Sequence, residues 1–279
     1  MNLDMLNPQQ RKAAETLSGP VLILAGAGSG KTRALTYRVA NLIESGVEPW
    51  RILAITFTNK AAREMQERIV ELVGDKAEDV WVSTFHAMCA RILRRDIEKL
   101  GYKRSFSIYD EDDQKSVLKS TLKTLDIDDK SFTIRELKVK ISDAKNRLLT
   151  PDEWFRESAK DFRCQQIHDI FTEYERRLHS ANALDFDDLL MRTLELFAGH
   201  PPVLQSYQQR FSHVLVDEYQ DTNFAQYKLV NLLTQENRNL CVVGDDDQSI
   251  YSWRGADVRN ILEFEKDYPE ATVIKLEQN

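Results

Sequence analysis

Short apolar runs alternate along much of this chain with longer segments in which apolar residues recur every three or four positions. The short runs are typical of buried β-strands, and the longer segments are typical of amphipathic helices. The predicted strands lie at 21–24, at 52–57, within 79–86, and at 213–216, 240–244 and 272–276. Because strands that alternate with helices form parallel sheets, the pattern predicts an α/β fold whose ligand site lies at the carboxyl edge of the sheet.

The pattern changes between about residues 108 and 197, where strand signals vanish and helical periodicity continues. The apolar residues of 167–178, for example, share one helical face. We interpret this block as an inserted all-helical domain of about residues 88–198. The α/β core is then discontinuous and consists of about residues 1–87 and 199–279.

The loop that follows the first predicted strand is rich in small residues, although Ala25 replaces the usual first glycine of a phosphate loop. The loop consists of Gly26, Ala27, Gly28, Ser29 and Gly30. Such a loop turns backbone N–H groups toward a polyphosphate, and the next helix adds positive charge at its N-terminus. Lys31 is expected to contact the β- and γ-phosphates, and the Thr32 hydroxyl to bind Mg²⁺. A tight structural turn is the alternative, but Lys31 and Thr32 in register favour nucleotide binding.

Two acidic residues, Asp217 and Glu218, directly follow the predicted strand 213–216. A phosphate-loop enzyme needs an aspartate at such a strand end to hold Mg²⁺, and a glutamate beside it to orient and deprotonate the attacking water. Gln248 follows the strand 240–244, where a neutral side chain can sense the γ-phosphate. We therefore predict that Lys31, Asp217, Glu218 and Gln248 form the catalytic group.

Polar and aromatic residues at the ends of other strands are candidates for contact with single-stranded nucleic acid. They are Phe57, Thr58, Asn59, Lys60, Thr84, His86, Tyr251 and Trp253. Exposed aromatic rings stack on bases, each stack contributing ~1–3 kcal/mol, while amide and ammonium groups contact phosphates. Helix caps and core packing are the alternatives, and for His86 a structural role is the simpler interpretation. Tyr251 and Trp253 lie beside Arg254, which favours a functional role for this pair.

Three other polar features each allow a functional and a structural interpretation. Gln10 could read an adenine edge through its amide, or could belong to a plain capping segment. The basic residues of 91–104 could follow a phosphate backbone, or could form a solvated helix surface. The aspartates of 184–190 could bind a metal ion, but the interleaved apolar residues favour a helix that begins with carboxylates.

Composition describes an ordinary globular protein of 279 residues, with 42% hydrophobic and 30% charged residues. The net charge of −7 argues against a protein that coats nucleic acid through charge alone, but a local basic track remains compatible with it. Cys89, Cys164 and Cys241 are too scattered for a zinc site or a disulfide framework. Without an export signal or an apolar run long enough to cross a membrane, we expect a cytoplasmic protein with no membrane partner.

These motifs, taken together and in order, resemble the N-terminal half of superfamily 1 DNA helicases of the UvrD/Rep/PcrA family. The matching segments are 6–10, 25–32, 56–62, 83–86, 184–190, 216–223, 243–257 and 276–279. The resemblance implies a RecA-like P-loop NTPase core whose helical insertion helps to grip single-stranded DNA. It also implies ATP and Mg²⁺ as cofactors, 3′-to-5′ translocation, and single-stranded DNA and its junctions with duplex DNA as partners.

The same resemblance implies roles for individual residues. It assigns Gln10 to adenine, Arg33 to the neighbourhood of the nucleotide, and Gln248 and Arg254 to the coupling of nucleotide state to DNA. It assigns base contacts to Phe57, Asn59, Tyr251 and Trp253.

One departure concerns the end of the chain. The next motif of the family runs from 276–279 into a tyrosine that stacks on adenine and an arginine that meets the γ-phosphate, and the sequence stops before both. The second RecA-like domain, with its arginine finger, is also missing from it. We therefore expect the N-terminal half of a longer enzyme, which binds nucleotide weakly and hydrolyses little.

Three alternatives stay open at this point. A helicase-nuclease subunit of the RecB kind shares these motifs. A small-molecule kinase or a GTPase-like switch also has a phosphate loop, but it would leave Tyr251 and Trp253 without a role. A protein that only binds its ligands is the third alternative.

Overall fold

The computed structural model describes residues 2–26, 28–128, 130–245 and 259–276, with the backbone alone for 259–262. The chain folds into two compact units. The core unit consists of Met1–Ala87 and Pro202–Asn279, and the inserted unit consists of Met88–Pro201. Among the helices described, none is both long and apolar enough to cross a membrane.

The described residues contain strands in both units. They are β1 (Val21–Ala25), β2 (Ile52–Thr56), β3 (Trp81–Thr84), β4 (Ser107–Tyr109), β5 (Ala183–Asp185), β6 (His213–Val216), β7 (Leu240–Gly244) and β8 (Thr272–Leu276). Six of them form the sheet of the core unit, in the order β3-β2-β6-β7-β1-β8. All pairs in this sheet are parallel, and Val21 lies between Cys241 and Thr272. The predicted α/β fold with a parallel sheet is therefore confirmed.

Helices connect these strands. They are α1 (Pro8–Glu15), α2 (Lys31–Glu44), α3 (Asn59–Val73), α4 (Phe85–Asp96), α5 (Glu111–Thr124), α6 (Ile134–Asn146), α7 (Pro151–Glu157), α8 (Phe162–Ser180), α9 (Phe186–Gly199), α10 (Pro201–Arg210), α11 (Phe224–Thr234) and α12 (Arg259–Asp267). Short 3₁₀ segments lie at Leu3–Met5, Pro49–Arg51, Gly74–Asp79, Ile97–Leu100 and Tyr219–Asp221.

Burial in the core unit explains why its strands are continuous apolar runs in the sequence. Every residue of β2 and β7 is buried, because a parallel sheet is covered on both faces. Leu35 and Val39 of α2 share one hydrophobic cluster with Ile23 of β1. Burial of each such side chain stabilises the fold by ~1.5–3 kcal/mol. This packing fixes the position of α2 at the end of β1.

The inserted unit is mainly helical, as predicted, but it is not all-helical. Its strands β4 and β5 pair in parallel, with Ile108 opposite Leu184. The prediction of an all-helical insertion is therefore wrong in this respect. Each strand has only three residues, too few to establish an alternating pattern, and β5 leads directly into α9.

The acidic segment at the start of α9 forms a helix entry, as predicted. Asp185 is the N-cap, and its Oδ1 accepts a hydrogen bond from the Asp188 backbone N–H at 2.8 Å. Both carboxylates also face the Lys145 ammonium group, with Nζ–Oδ distances of 2.8 Å to Asp185 and 2.9 Å to Asp188. The charge on these aspartates is therefore balanced by a side chain of α6.

The basic residues of 91–104 are exposed, but several of them have local partners. Lys99 pairs with Asp96 at 3.0 Å, and Arg104 pairs with Glu98 at 3.0 Å. Arg94 donates to the backbone carbonyl of Arg104 at 2.7 Å and lies over an aromatic ring. These contacts reduce the positive charge available to a phosphate backbone, so phosphate tracking by this segment stays a prediction.

Candidate functional site: the carboxyl edge of the parallel sheet

The described residues of the loop between β1 and α2 include two glycines in a conformation that glycine-rich phosphate loops use. Gly28 and Gly30 have φ angles of 78° and 81°, in the left-handed region that glycine adopts readily. Ser29 Oγ donates to the Gly26 carbonyl at 2.7 Å, which closes the loop on itself. Gly30 is the N-cap of α2, so the free N–H groups of the first helical turn face the loop. Ala27, also predicted in this loop, lies outside the described residues.

Gln10 packs against this loop, where the sequence analysis expects an adenine contact. Its Nε2 donates to the Ser29 carbonyl at 3.1 Å, and its Oε1 accepts from the Asn7 N–H at 3.2 Å in a capping box. One Nε2 hydrogen and one Oε1 lone pair are left after these bonds, as an adenine edge requires. A Cβ added at Gly30 would lie 2.4 Å from Gln10 Nε2, so the glycine also makes room for this side chain.

A buried arginine holds the helix that carries Gln10. Arg38 of α2 is 2% exposed, and its Nη1 donates to the Ala13 carbonyl at 2.9 Å and to the Thr16 carbonyl. Asn41 Nδ2 donates to the Ala14 carbonyl at 3.0 Å. These contacts tie the C-terminal carbonyls of α1 to the helix that begins with Lys31. No sequence motif marks this anchor, because the partners of Arg38 and Asn41 are backbone atoms.

The other predicted nucleotide residues of α2 lie in its first turn. Lys31 is the first helical residue, Thr32 is half-buried, and Arg33 is exposed. Arg33 Nη2 donates to the Met5 carbonyl at 2.9 Å, and its guanidinium carbon lies 5.8 Å from the Tyr37 ring centroid. The Mg²⁺ role of Thr32 and the nucleotide role of Arg33 stay predictions.

Acidic groups from two neighbouring strands converge on Lys31. Its Nζ lies 3.3 Å from Glu218 Oε2, after β6, and 3.8 Å from Asp245 Oδ2, after β7. Asp217 precedes Glu218, and its Oδ1 accepts the Glu218 N–H at 2.9 Å. The structure thus brings together Lys31, Asp217 and Glu218 as predicted neighbours. Asp245 also belongs to this group, although it was not among the predicted site residues. The run of aspartates after β7 could have indicated it, but Gln248 was the residue predicted from that segment.

The Asp217 carboxyl is 7% exposed, and its protonation depends on this site. Burial and the nearby Glu218 charge raise its pKa to about 6, while the hydrogen bond from the Glu218 N–H and the Lys31 charge oppose the shift. Hard carboxylate oxygens of this kind are the protein ligands that Mg²⁺ prefers. A bound cation would reverse the electrostatic cost of the Asp217 charge.

Asp217→Asn is expected to stabilise the chain in the absence of Mg²⁺ and nucleotide. The folded-state pKa of about 6 lies above the ordinary 3.8, so the stabilising contribution of Asp217 is complete below pH 4 and is lost as the pH rises through 6. The amide keeps the contact with the Glu218 N–H and carries no charge. We expect a gain of up to about 3 kcal/mol at pH 8 and almost none at pH 4.

Urea unfolding at the two pH values measures this gain, with the exposed Asp75→Asn as the control. Equal stability of Asp217→Asn and the unchanged chain at pH 8 would contradict the prediction. Added Mg²⁺ and nucleotide should stabilise the unchanged chain and Asp75→Asn more than Asp217→Asn.

The described residues predicted to contact DNA lie at the ends of β2 and β3, which are neighbours in the sheet. Phe57 lies against Phe85, with ring centroids 5.5 Å apart, and Lys60 pairs with Glu64 at 3.8 Å. Asn59 begins α3 and is exposed.

Thr58 and Thr84 also have structural roles at this edge. Thr58 Oγ1 accepts the Ala61 N–H at 3.1 Å, and Thr84 Oγ1 accepts the Ala87 N–H at 3.2 Å. His86 is half-buried, and burial lowers its pKa. DNA contact by residues at this edge stays a prediction. Gln248, Tyr251, Trp253 and Arg254 lie outside the described residues.

Comparison with known proteins shows the family of this chain. Residues 6–269 match the family model described as UvrD/REP helicase N-terminal domain. The chain is 56% identical over 278 residues to proteins named ATP-dependent DNA helicase PcrA from Staphylococcus aureus and Bacillus subtilis, which covers 99% of this chain and 38% of each relative. A protein of the same name from Staphylococcus epidermidis is 55% identical over 275 residues, with 98% of this chain and 38% of the relative covered.

The chain thus spans 38% of the length of these relatives. The match nevertheless includes every described strand of the core unit except β8, which lies beyond residue 269. This chain belongs to the UvrD/REP helicase family and matches the model of that family's N-terminal domain.

Proposed function

We propose that this chain is the ATP-binding part of an ATP-dependent DNA helicase that translocates 3′ to 5′ on single-stranded DNA. The observation that carries the proposal is the convergence of Lys31, Glu218 and Asp217 at the ends of β1 and β6, beside the loop that begins α2. The direction of movement comes from the family resemblance alone.

The residues of this edge fit ATP and Mg²⁺. Gln10 is proposed to read adenine, and the loop N–H groups and Lys31 to hold the phosphates. Lys31 exchanges the Glu218 carboxylate, now at 3.3 Å, for phosphate oxygens. Asp217 and the Thr32 hydroxyl would hold Mg²⁺, which neutralises phosphate charge when bound.

Hydrolysis in this proposal uses Glu218 as the general base. The Glu218 carboxylate accepts a proton from the water while the water oxygen bonds to the γ-phosphorus. The bond between the γ-phosphorus and the bridging oxygen breaks, which leaves ADP and phosphate. Lys31 lies near both this carboxylate and Asp245, so these two residues determine the local charge around Glu218. We further propose that the arginine finger comes from outside these residues. Such a group contributes ~10³–10⁵ in rate, so the chain alone should hydrolyse ATP slowly.

DNA is proposed to bind at the same edge of the sheet, through Phe57, Asn59 and Lys60 and through the Tyr251 and Trp253 rings. Stacking on aromatic rings tolerates any base, which suits an enzyme that moves along a strand. Because the phosphate loop and these residues follow strands of one sheet, nucleotide state and DNA contact can be coupled through short connections.

Fluorescence anisotropy of a labelled oligo-dT tests the proposal, with and without a non-hydrolysable ATP analogue and Mg²⁺. Trp253→Ala is expected to weaken DNA binding by about 5- to 100-fold, since one stack contributes ~1–3 kcal/mol. Trp50→Ala is the matched control, because Trp50 is 46% exposed and precedes β2 at the opposite edge of the sheet. The ATP analogue should change DNA binding in the unchanged chain but not in Lys31→Ala. Nucleotide binding that is indifferent to single-stranded DNA would contradict the proposal and favour a switch or a small-molecule kinase.

A further inference from the structure

Gln220 connects two acidic strand ends of the candidate site. It lies in the 3₁₀ segment Tyr219–Asp221 after β6 and is 4% exposed. Its Nε2 donates to Glu218 Oε2 at 2.6 Å, and its Oε1 accepts the Asp245 backbone N–H at 3.1 Å. A buried side chain therefore joins the Glu218 carboxylate to the end of β7.

The chemistry of the two partners fixes the orientation of this amide. A carboxylate can only accept hydrogen bonds, and a backbone N–H can only donate one. The Gln220 nitrogen must therefore face Glu218, and its oxygen must face Asp245. A carboxylate at position 220 could serve Asp245 but not Glu218, and an apolar side chain could serve neither.

The Glu218 side chain needs a second contact, because its uncommon backbone angles and its pairing with Lys31 do not by themselves fix the position of its carboxylate. Its φ and ψ angles of 50° and 45° are uncommon for a residue other than glycine. Its side chain is 39% exposed, and among the described residues its other polar partner is Lys31 at 3.3 Å. Once Lys31 turns to phosphate, the contact with Gln220 remains.

We propose that Gln220 is a positioning residue, which holds the Glu218 carboxylate in place when Lys31 contacts phosphate and ties it to the β7 strand end. This inference rests on the proposed function, in which Glu218 is the general base. Gln220 touches neither the nucleotide nor the water in this proposal. Its loss should therefore slow the chemical step and leave nucleotide affinity unchanged.

Single-turnover ATP hydrolysis, with the protein in excess over ATP in the presence of Mg²⁺ and oligo-dT, measures the chemical step. Gln220→Leu is expected to lower the rate constant by about 10- to 100-fold, as small misplacements of catalytic groups do. Gln220→Glu keeps the acceptor for Asp245 and has nearly the same shape, so an equal or greater loss assigns the effect to the Glu218 contact. The Kd for a fluorescent non-hydrolysable ATP analogue should change less than twofold in Gln220→Leu, which adds no charge to the site.

Gln226→Leu is the matched control. Gln226 is also a buried amide, 6% exposed, but it lies in the first turn of α11, where its Oε1 accepts the Asn223 N–H and caps the helix. The Gln226→Leu variant should be less stable than the unchanged protein, and its rate constant should differ from that of the unchanged protein by less than twofold.

The outcomes separate this inference from the proposed function. If the unchanged protein binds no nucleotide, the proposed function fails. If it hydrolyses ATP and the two Gln220 variants hydrolyse it equally fast, only the role of Gln220 is overturned. A rate loss that Gln226→Leu matches would also overturn it, because the effect would then be one of stability.

Discussion

Lys31→Ala is expected to weaken the binding of Mg²⁺–ATP to this chain by about 10- to 100-fold. A hydrogen bond between an ammonium group and a phosphate oxygen contributes ~1.5–3 kcal/mol, and 1.4 kcal/mol corresponds to a factor of ten in affinity. The loss should affect the triphosphate more than the base, because Gln10 and the Ser29 carbonyl that it contacts are unchanged.

The surroundings of Lys31 explain why this effect should be large. Its side chain is 12% exposed and lies between the Glu218 and Asp245 carboxylates, at 3.3 and 3.8 Å. Without the ammonium group, both carboxylates face the incoming phosphates, so like-charge repulsion adds to the lost contact. The substitution therefore changes the sign of the local charge as well as removing a donor.

Titration of the chain with a fluorescent non-hydrolysable ATP analogue in the presence of Mg²⁺ measures this affinity. Lys76→Ala is the control, because Lys76 is exposed and precedes β3 at the opposite edge of the sheet. An affinity within twofold of the unchanged chain would show that Lys31 does not contact phosphate.

The convergence of residues at the candidate site was predictable, because they occur as short pairs that each follow a strongly apolar strand. The Lys31–Thr32 pair after a small-residue loop and the Asp217–Glu218 pair after β6 can each be read locally, and parallel strand order then brings them to one edge. The distance of 3.3 Å between Lys31 and Glu218, 187 positions apart, is the result of that topology.

The contacts that sequence reasoning missed share a different property. Gln220 binds a carboxylate on one side and a backbone N–H on the other, and Arg38 binds backbone carbonyls. Backbone partners carry no sequence signal, so such residues look like ordinary polar positions. The short strands β4 and β5 were missed because three residues are too few to show a period.

The inserted unit contains a buried ion cluster whose disruption should have the largest effect on stability. Lys145 is fully buried, and its Nζ lies 2.8 Å from Asp185 and 2.9 Å from Asp188. Glu175 pairs with the same ammonium group and, at 2.6 Å, with Arg192. Three carboxylates therefore share two cations inside the helical core, across α6, α8 and α9.

Lys145→Met is expected to lower the free energy of unfolding by about 3–5 kcal/mol, because it leaves the carboxylates of the cluster with one cation instead of two. Lys138→Met is the matched control on the same helix. Lys138 pairs at 3.1 Å with Glu111, whose side chain is 87% exposed, so its loss should cost less than about 1 kcal/mol. Urea unfolding, followed by circular dichroism, compares the two variants.

The pH dependence of this loss identifies its cause. Burial raises the pKa of both aspartates. At Asp185 the Lys145 charge and hydrogen bonds outweigh burial and lower the pKa below its ordinary value, whereas at Asp188 burial and the Asp185 charge prevail and raise the pKa to about 8. In the unchanged chain the contribution of Asp185 to stability is therefore present above pH 4 and is lost as the pH falls through the lower folded-state pKa. Without the ammonium group, burial raises that pKa, and the contribution is lost as the pH rises. The deficit of Lys145→Met should thus be larger at pH 8 than at pH 4.5. A loss of equal size at both pH values would mean that packing of the lysine side chain, rather than its charge, stabilises the inserted unit.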